Sequence, residues 1–242
     1  MAAPAVSSPA VADQRPEEGG SRGKHGFPRA RWATFDCYGT LVDWNAGIRA
    51  ELARVFGEER ADERLHRYHE LEPELESDGS LGYREVLTEA MRRLGAPAGE
   101  EGGLADSLPG WPVFPEVPGA LEEARRRGWR LAILSNTDPD LITASKERIG
   151  VPFDETVVAS EIGSYKPAHG HWREFFARTG ADPALHVHVA ASLFHDVAPA
   201  NELGIPVVWI NRLGESPEPE PTRELPDLSR LADTLDELVP TA

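Results

Sequence analysis

The sequence predicts an α/β fold, a doubly wound parallel sheet with a helical cap inserted after the first strand. Three observations carry this reading: short apolar runs that stop at polar residues, helical periods between those runs, and one long interval with helices but no strand.

Residues 32–37, 130–135, 156–160, 186–192 and 206–211 are short runs rich in Val, Ile, Leu or Ala, each ending at a small or polar residue. Such runs suit strands covered on both faces by crossover helices. Residues 118–128 begin with Pro-Gly and stop at Gly128, and residues 141–149, 171–179 and 197–203 each precede a glycine. Leu228, Leu231, Ala232, Leu235 and Leu238 keep a helical spacing at the far end. Alternating strand and helix implies right-handed crossovers, with the site beyond the carboxyl ends of the strands. Asp36, Ser135, Lys166 and Asp196 all fall at or just after such ends.

The interval 44–112 breaks the alternation. It holds helical stretches at 48–56, 61–75 and 83–94, which read as a cap, and the Pro-rich stretch 109–119 returns the chain to the core. The expected organisation is a disordered tail over 1–29, an α/β core over 30–43 and 113–242, and the cap over 44–112. The tail is rich in Ala, Pro, Ser and Gly and lacks the basic-then-apolar order of a signal peptide. The acidic loop 214–226 reads as solvated.

A net charge of −16 disfavours nucleic acid or an anionic membrane as the main partner. No apolar run approaches the roughly 20 residues that span a bilayer. The single cysteine, Cys37, excludes an internal disulfide and fits a reducing, cytoplasmic setting.

A carboxylate at a strand end can attack an electrophile while Thr40 and the following turn hold it, and Gly39 lets the chain turn closely there. Taken alone, Asp36 would more readily be a turn cap. Ser135 and Asn136 are placed to hydrogen-bond an anionic oxygen, or to shape a turn. Lys166 offers a positive charge. Asp196 could hold that lysine, orient a water, or cap the next helix. The pairs His169/His171 and His186/His188 lack a third metal ligand, and His195 is a candidate base or a structural residue.

The ordered set Asp36-Cys37-Tyr38-Gly39-Thr40, Ser135-Asn136, Lys166-Pro167 and the acidic loop ending at Asp196 resembles the haloacid dehalogenase-like hydrolases over residues 32 to about 212. That resemblance implies a Rossmannoid core with a cap after the first motif. Phosphatases of the superfamily carry a second Asp two residues after the nucleophile and a metal-binding Asp after a Gly in the fourth motif. Tyr38 and Ala191 stand at those places. The pattern is instead similar to the metal-independent L-2-haloacid dehalogenases.

Carried over, Asp36, Thr40, Lys166 and Asp196 are expected to be catalytic, and Cys37, Tyr38, Ser135, Asn136, Trp172 and a cap arginine to bind substrate. Arg67 is the favoured arginine and Arg64 its rival, and a solvated helix arginine is the open alternative for either. No metal or cofactor is implied, the substrate is a small-molecule carboxylate, and a homodimer is a family expectation. Trp172 stands where the group has Tyr, and Ala191 and Leu193 where it has Ser and Asn. Two alternatives remain open: a magnesium-using phosphohydrolase acting on a small phosphate ester, and a catalytically degenerate binding protein.

Overall fold

A computed structural model describes residues 30–77 and 79–241; the expected tail lies outside them. The chain opens on β1 (Arg31–Phe35) and then forms α1 (Trp44–Phe56), α2 (Ala61–Glu76), α3 (Tyr83–Arg93) and α4 (Gly103–Ser107) before any second strand. It continues through α5 (Val117–Arg126), β2 (Trp129–Ser135), α6 (Pro139–Ile149), β3 (Glu155–Val158), α7 (Ala159–Ile162) and α8 (Gly170–Thr179). β4 (His186–Ala190), α9 (Ala198–Glu202), β5 (Val207–Ile210), β6 (Arg223–Leu225) and α10 (Leu231–Leu238) complete it.

The six strands form one sheet in the order β3-β2-β1-β4-β5-β6, and every neighbouring pair is parallel. Strand order reverses between β1 and β4, which opens a crevice at their carboxyl ends. The period of two sorts side chains into two cores. Ala33, Phe35, Leu131, Ile133, Val187 and Val189 join one, while Trp32, Ala132, Leu134, Val207 and Trp209 join the other with Trp172 and Phe175 of α8.

The five expected strands and the main helices are present, with ends moved by a few residues. The loop expected over 214–226 departs from its reading: Arg223–Leu225 pairs with β5 as an edge strand. Its sequence, Arg-Glu-Leu, carries no apolar run, because it is exposed at the sheet's edge. The helix expected over 197–203 instead starts as a π-turn at Leu193–Val197 before α9.

The helical insertion leaves and rejoins the sheet through neighbouring backbone. Val42 and Val113 form an antiparallel bridge, Asp43 N donates to Pro112 O at 2.8 Å, and Phe114 N donates to Leu41 O at 3.1 Å. A third tie comes from Asp138, whose carboxylate accepts the amides of Tyr83 and Arg84 at 3.0 and 2.8 Å. Asp138 thus caps α3, whose own cap position is Gly82 and has no side chain.

Within the insertion, Gly47 of α1 lies against Trp111; a Cβ there would sit 2.3 Å from the indole. Alanine would gain roughly 1 kcal/mol of helix propensity. Overpacking a fixed indole costs about 1–3 kcal/mol. Gly47→Ala is therefore expected to lower the thermal midpoint, and a raised midpoint would show that Trp111 yields freely.

Candidate active site

The carboxyl ends of β1 and β4 bring a compact charged cluster together. Asp36, 8% exposed, follows β1; its Oδ2 accepts the Thr40 hydroxyl at 2.9 Å and its Oδ1 accepts Lys166 Nζ at 2.9 Å. Lys166 Nζ also donates to Asp196 Oδ1 at 2.7 Å. Thr40 Oγ1 in turn accepts the amide of Ala191 at 2.9 Å, which ties the β1 loop to the β4 loop. Gly39 makes the turn between Asp36 and Thr40 at φ +89°, a conformation that favours glycine.

Lys166 is positioned by Asn136. The Asn136 Oδ1 accepts the Lys166 amide at 2.7 Å, and its Nδ2 donates to the Lys166 carbonyl at 3.0 Å. Ser135 is buried, lines the cavity, and has no hydrogen-bond partner for its hydroxyl among the described residues. That hydroxyl is free to meet a ligand oxygen.

Burial raises the Asp36 carboxyl above the ordinary aspartate value; Lys166 pulls it down and the charge of Asp196 pushes it up. Burial opposes charge on Lys166, but the two carboxylates outweigh it and raise its value. Burial likewise opposes the Asp196 carboxylate, yet Lys166 and His188 hold it well below the usual range. The cluster is therefore one ammonium between two carboxyls, carrying one net negative charge when both are ionised.

A cavity of about 560 Å³ opens over this cluster, and α2 and α3 of the insertion form its far wall. α2 presents His69, Glu72, Pro73 and Glu76 to it. Glu72 Oε1 accepts the hydroxyls of Tyr68 and Tyr83 at 2.8 and 2.9 Å, and burial pushes its carboxyl up to about 7. Glu76 meets Asn136 Nδ2 at 3.3 Å; burial and the neighbouring Glu72 push it up to about 9.

The structure brings Asp36, Tyr38, Ser135, Asn136, Lys166 and Asp196 to the cavity wall, with Thr40 directly behind Asp36. Four other expected residues lie elsewhere. Arg67 points to solvent, 57% exposed and paired with Glu70. Arg64 donates to the Leu94 carbonyl at 2.9 Å and covers Phe56, also away from the cavity. Trp172 is 1% exposed and packs edge-on against His188 in the second core. Cys37 is fully buried in the first core, because alternation along β1 turns it away from the cavity. Tyr38 reaches the wall but spends its hydroxyl on Ser145 at 3.0 Å.

Arg212 was not foreseen. It follows β5, lines the cavity, stacks 3.5 Å over Phe114, and donates to the Thr40 carbonyl at 2.9 Å and to Glu116 at 2.7 Å. The strand-end rule that pointed to Asp36 and Ser135 applies equally to Arg212. The Glu72/Glu76 pair was also missed, although its spacing of four puts both on one helical face.

Among the described residues, no group of three or more His, Cys, Asp or Glu is placed to share a metal ion. The histidine pairs divide: His169 meets Glu202, His171 meets the Ser135 carbonyl, and His186 and His188 meet Thr34. His195 lines the cavity and hydrogen-bonds Ser192. Among the described residues, no helix is long and apolar enough to cross a membrane.

A parallel α/β sheet with a carboxylate, a lysine and a second carboxylate at its switch point defines a hydrolase of the Rossmann-like class. The family model for haloacid dehalogenase-like hydrolases matches residues 30–204, and the chain belongs to that family. It is 30% identical over 191 residues to the (S)-2-haloacid dehalogenase of Pseudomonas sp. (strain YL), covering 74% of this chain and 82% of that one. It is 31% identical over 151 residues to the phosphoserine phosphatase of Thermus thermophilus, covering 59% of this chain and 61% of that one. In fold it is similar to the L-2-haloacid dehalogenase of Xanthobacter autotrophicus with chloropropionic acid covalently bound. The TM-score is 0.75 at 20% identity, over 85% of this chain and 98% of that one.

Replacing Lys166 by Met leaves two carboxyls facing each other in a buried site. Removing one partner of a buried ion pair typically costs about 3–5 kcal/mol. Lys166→Met is expected to lose stability on that scale in urea unfolding at neutral pH. Arg67→Ala, which breaks an exposed pair, is expected to stay within about 1 kcal/mol of the parent. A reversed order would contradict the assigned burial of the cluster.

Proposed function

We propose that the chain is a hydrolytic dehalogenase in which Asp36 displaces halide from C2 of a small 2-haloalkanoate without a metal. The observation that carries this reading is the Asp36 carboxylate, held by Lys166 and Thr40 at the floor of a cavity beside the unpartnered Ser135 hydroxyl. The relationship to the Pseudomonas dehalogenase supports it.

In this reading Ser135 and Lys166 receive the substrate carboxylate, and Asn136 keeps Lys166 in place. An Asp36 oxygen bonds to C2 as the carbon–halogen bond breaks, and the halide leaves with the electron pair. Water then adds to Asp36 Cγ, the ester bond to the product oxygen breaks, and a 2-hydroxy acid and one proton are released. Asp196 orients that water. Residues 44–112 act as the cap over a core formed by 30–43 and 113–242.

The cap contributes aromatic and carboxyl groups in place of an arginine. Glu76, with its carboxyl near 9, is neutral at pH 7 and adds no charge against the substrate. On the core side of the cavity the cations are Lys166 and Arg212.

A phosphohydrolase is the second reading, favoured by the 31% identity to a phosphoserine phosphatase. The residues do not fit that chemistry: Tyr38 stands where such a phosphatase carries its general-acid Asp, and Ala191 where it carries a metal-binding Asp. A panel of haloacids and phosphate esters, with and without EDTA, separates the two. Halide release unchanged by EDTA is expected; phosphate release restored by magnesium would replace the first reading with the second.

Asp36→Asn is expected to abolish halide release with near-native folding, since the amide is almost isosteric but a poor nucleophile. Retained turnover, with deamidation excluded by mass, would remove Asp36 from its role.

The pH dependence has two limbs. Because the Asp36 carboxyl is raised, kcat/KM should fall on acidification at a pH above the usual aspartate value of 3.8. On the alkaline side Glu72 and then Glu76 ionise, at about 7 and about 9. Each adds a negative charge near an anionic substrate, so KM should rise about tenfold per ionisation. Glu76→Gln should flatten the upper part of that rise. A KM independent of pH from 6 to 10 would count against the cavity charges described.

A further inference from the structure

The charged cluster does not end at Asp196. His188 Nε2 lies 2.9 Å from Asp196 Oδ1, His188 Nδ1 lies 2.8 Å from Thr34 Oγ1, and Thr34 Oγ1 lies 2.8 Å from His186 Nε2. Thr34, His186 and His188 have no solvent exposure. They form a polar seam on the face of β1 and β4 covered by Trp172, Phe175 and Phe176.

Hydrogen-bond chemistry fixes the direction of this seam. Asp196 is an ionised carboxylate and only accepts, so His188 Nε2 carries a hydrogen. Thr34 has one hydrogen to give between two imidazoles. With His188 neutral, Thr34 donates to its Nδ1 and accepts from Nε2–H of His186, which leaves His186 Nδ1 a bare acceptor. That atom has no partner among the described residues. A cationic His188 would reverse Thr34 and force a hydrogen onto His186 Nδ1, a buried donor with nothing to meet. In the neutral arrangement the unmet His186 Nδ1 is an acceptor instead of a donor, in either arrangement His188 Nε2 donates to Asp196, and burial holds the His186 imidazole down to about 3.

Two donors, Lys166 Nζ and His188 Nε2, therefore occupy Asp196 Oδ1, while Oδ2 of this cavity-lining residue has no partner among the described residues. We propose that His188, braced by Thr34 and His186, is a positioning residue for ester hydrolysis: it fixes the Asp196 carboxylate so that Oδ2 accepts the proton of the attacking water. The proposal rests on the dehalogenase reading. The water oxygen bonds to Asp36 Cγ, its proton passes to Asp196 Oδ2 and on to the departing 2-hydroxy oxygen. Asp36 regains its carboxyl, which releases the remaining proton.

The test separates the two half-reactions. His188→Leu, mixed with 2-chloropropionate, should release one equivalent of halide at the parent rate, because alkylation of Asp36 does not use Asp196 Oδ2. Steady-state turnover should then fall roughly 10- to 100-fold, the range for losing one hydrogen bond to a charged group. Intact-protein mass should show the ester accumulating, and His188→Gln, whose amide reaches the same acceptor, should recover part of the loss. Thr34→Val keeps the shape and removes the brace, and serves if the leucine variant does not fold; a smaller loss with the same ester build-up is expected. A merely structural role would lower the thermal midpoint without trapping ester. Equal loss of burst and turnover, or unchanged turnover in a folded His188→Leu, overturns the proposal. Nitrogen-15 histidine NMR of the parent should show hydrogen on His188 Nε2, and a His188 Nε2 without hydrogen overturns the proposal without reference to any substrate. No burst from any haloacid in the parent enzyme would instead remove the dehalogenase reading, and the hydrolytic role with it.

Discussion

The site depends on a single buried ammonium. Lys166 is 2% exposed, and a charge so enclosed is tolerable because two carboxylates and a doubly bonded backbone surround it. The dependence is mutual. The charge of Asp196 raises the proton affinity of Asp36, and the lysine between the two carboxyls relieves that repulsion. Such a cluster contributes little net stability, since desolvation consumes most of the attraction. Its value is electrostatic readiness: Lys166 and Thr40 are already in place around the Asp36 carboxyl.

The sheet makes that cluster possible. β1 and β4 are neighbours, so Asp36 and the π-turn carrying Asp196 emerge side by side, with Thr40 linking their loops through Ala191. Lys166 comes from the longer connection after β3, and Asn136 at the end of β2 fixes it by gripping both backbone groups of that one residue. Three strand ends thus converge on one ammonium. The seam of Thr34, His186 and His188 extends the same logic inward, placing polar residues where an apolar core would otherwise be continuous.

Much of this was legible in the sequence because strand ends announce themselves locally: an apolar run stops and a polar residue follows. Asp36, Ser135 and Asp196 each obey that rule, and so does Arg212, which it was not used to find. The insertion was legible as helix but not as surface. Along α2 the cavity stripe is His69, Glu72, Pro73 and Glu76, at steps of three, four and seven. Arg67 lies two residues before that stripe, about 200° around the helix, and therefore faces water. Resemblance aligned the arginine in sequence while the rotation of the helix turned it out. Trp172 was ambiguous for a related reason: an aromatic on a helix near a strand end can face the core or the site, and α8 turns it onto the sheet. β6 left no trace because an exposed edge strand needs no apolar run.

The bridge between Val42 and Val113 has a further implication for the chain's architecture. Some seventy residues depart and return through two antiparallel backbone positions in contact, a separation that a two-residue turn spans. The strand order of the sheet makes no use of anything between those positions. Connectivity in the hydrolytic half is thus indifferent to what the excursion contains. The threading of the strands would be the same for an excursion of other length or helix count between those two residues.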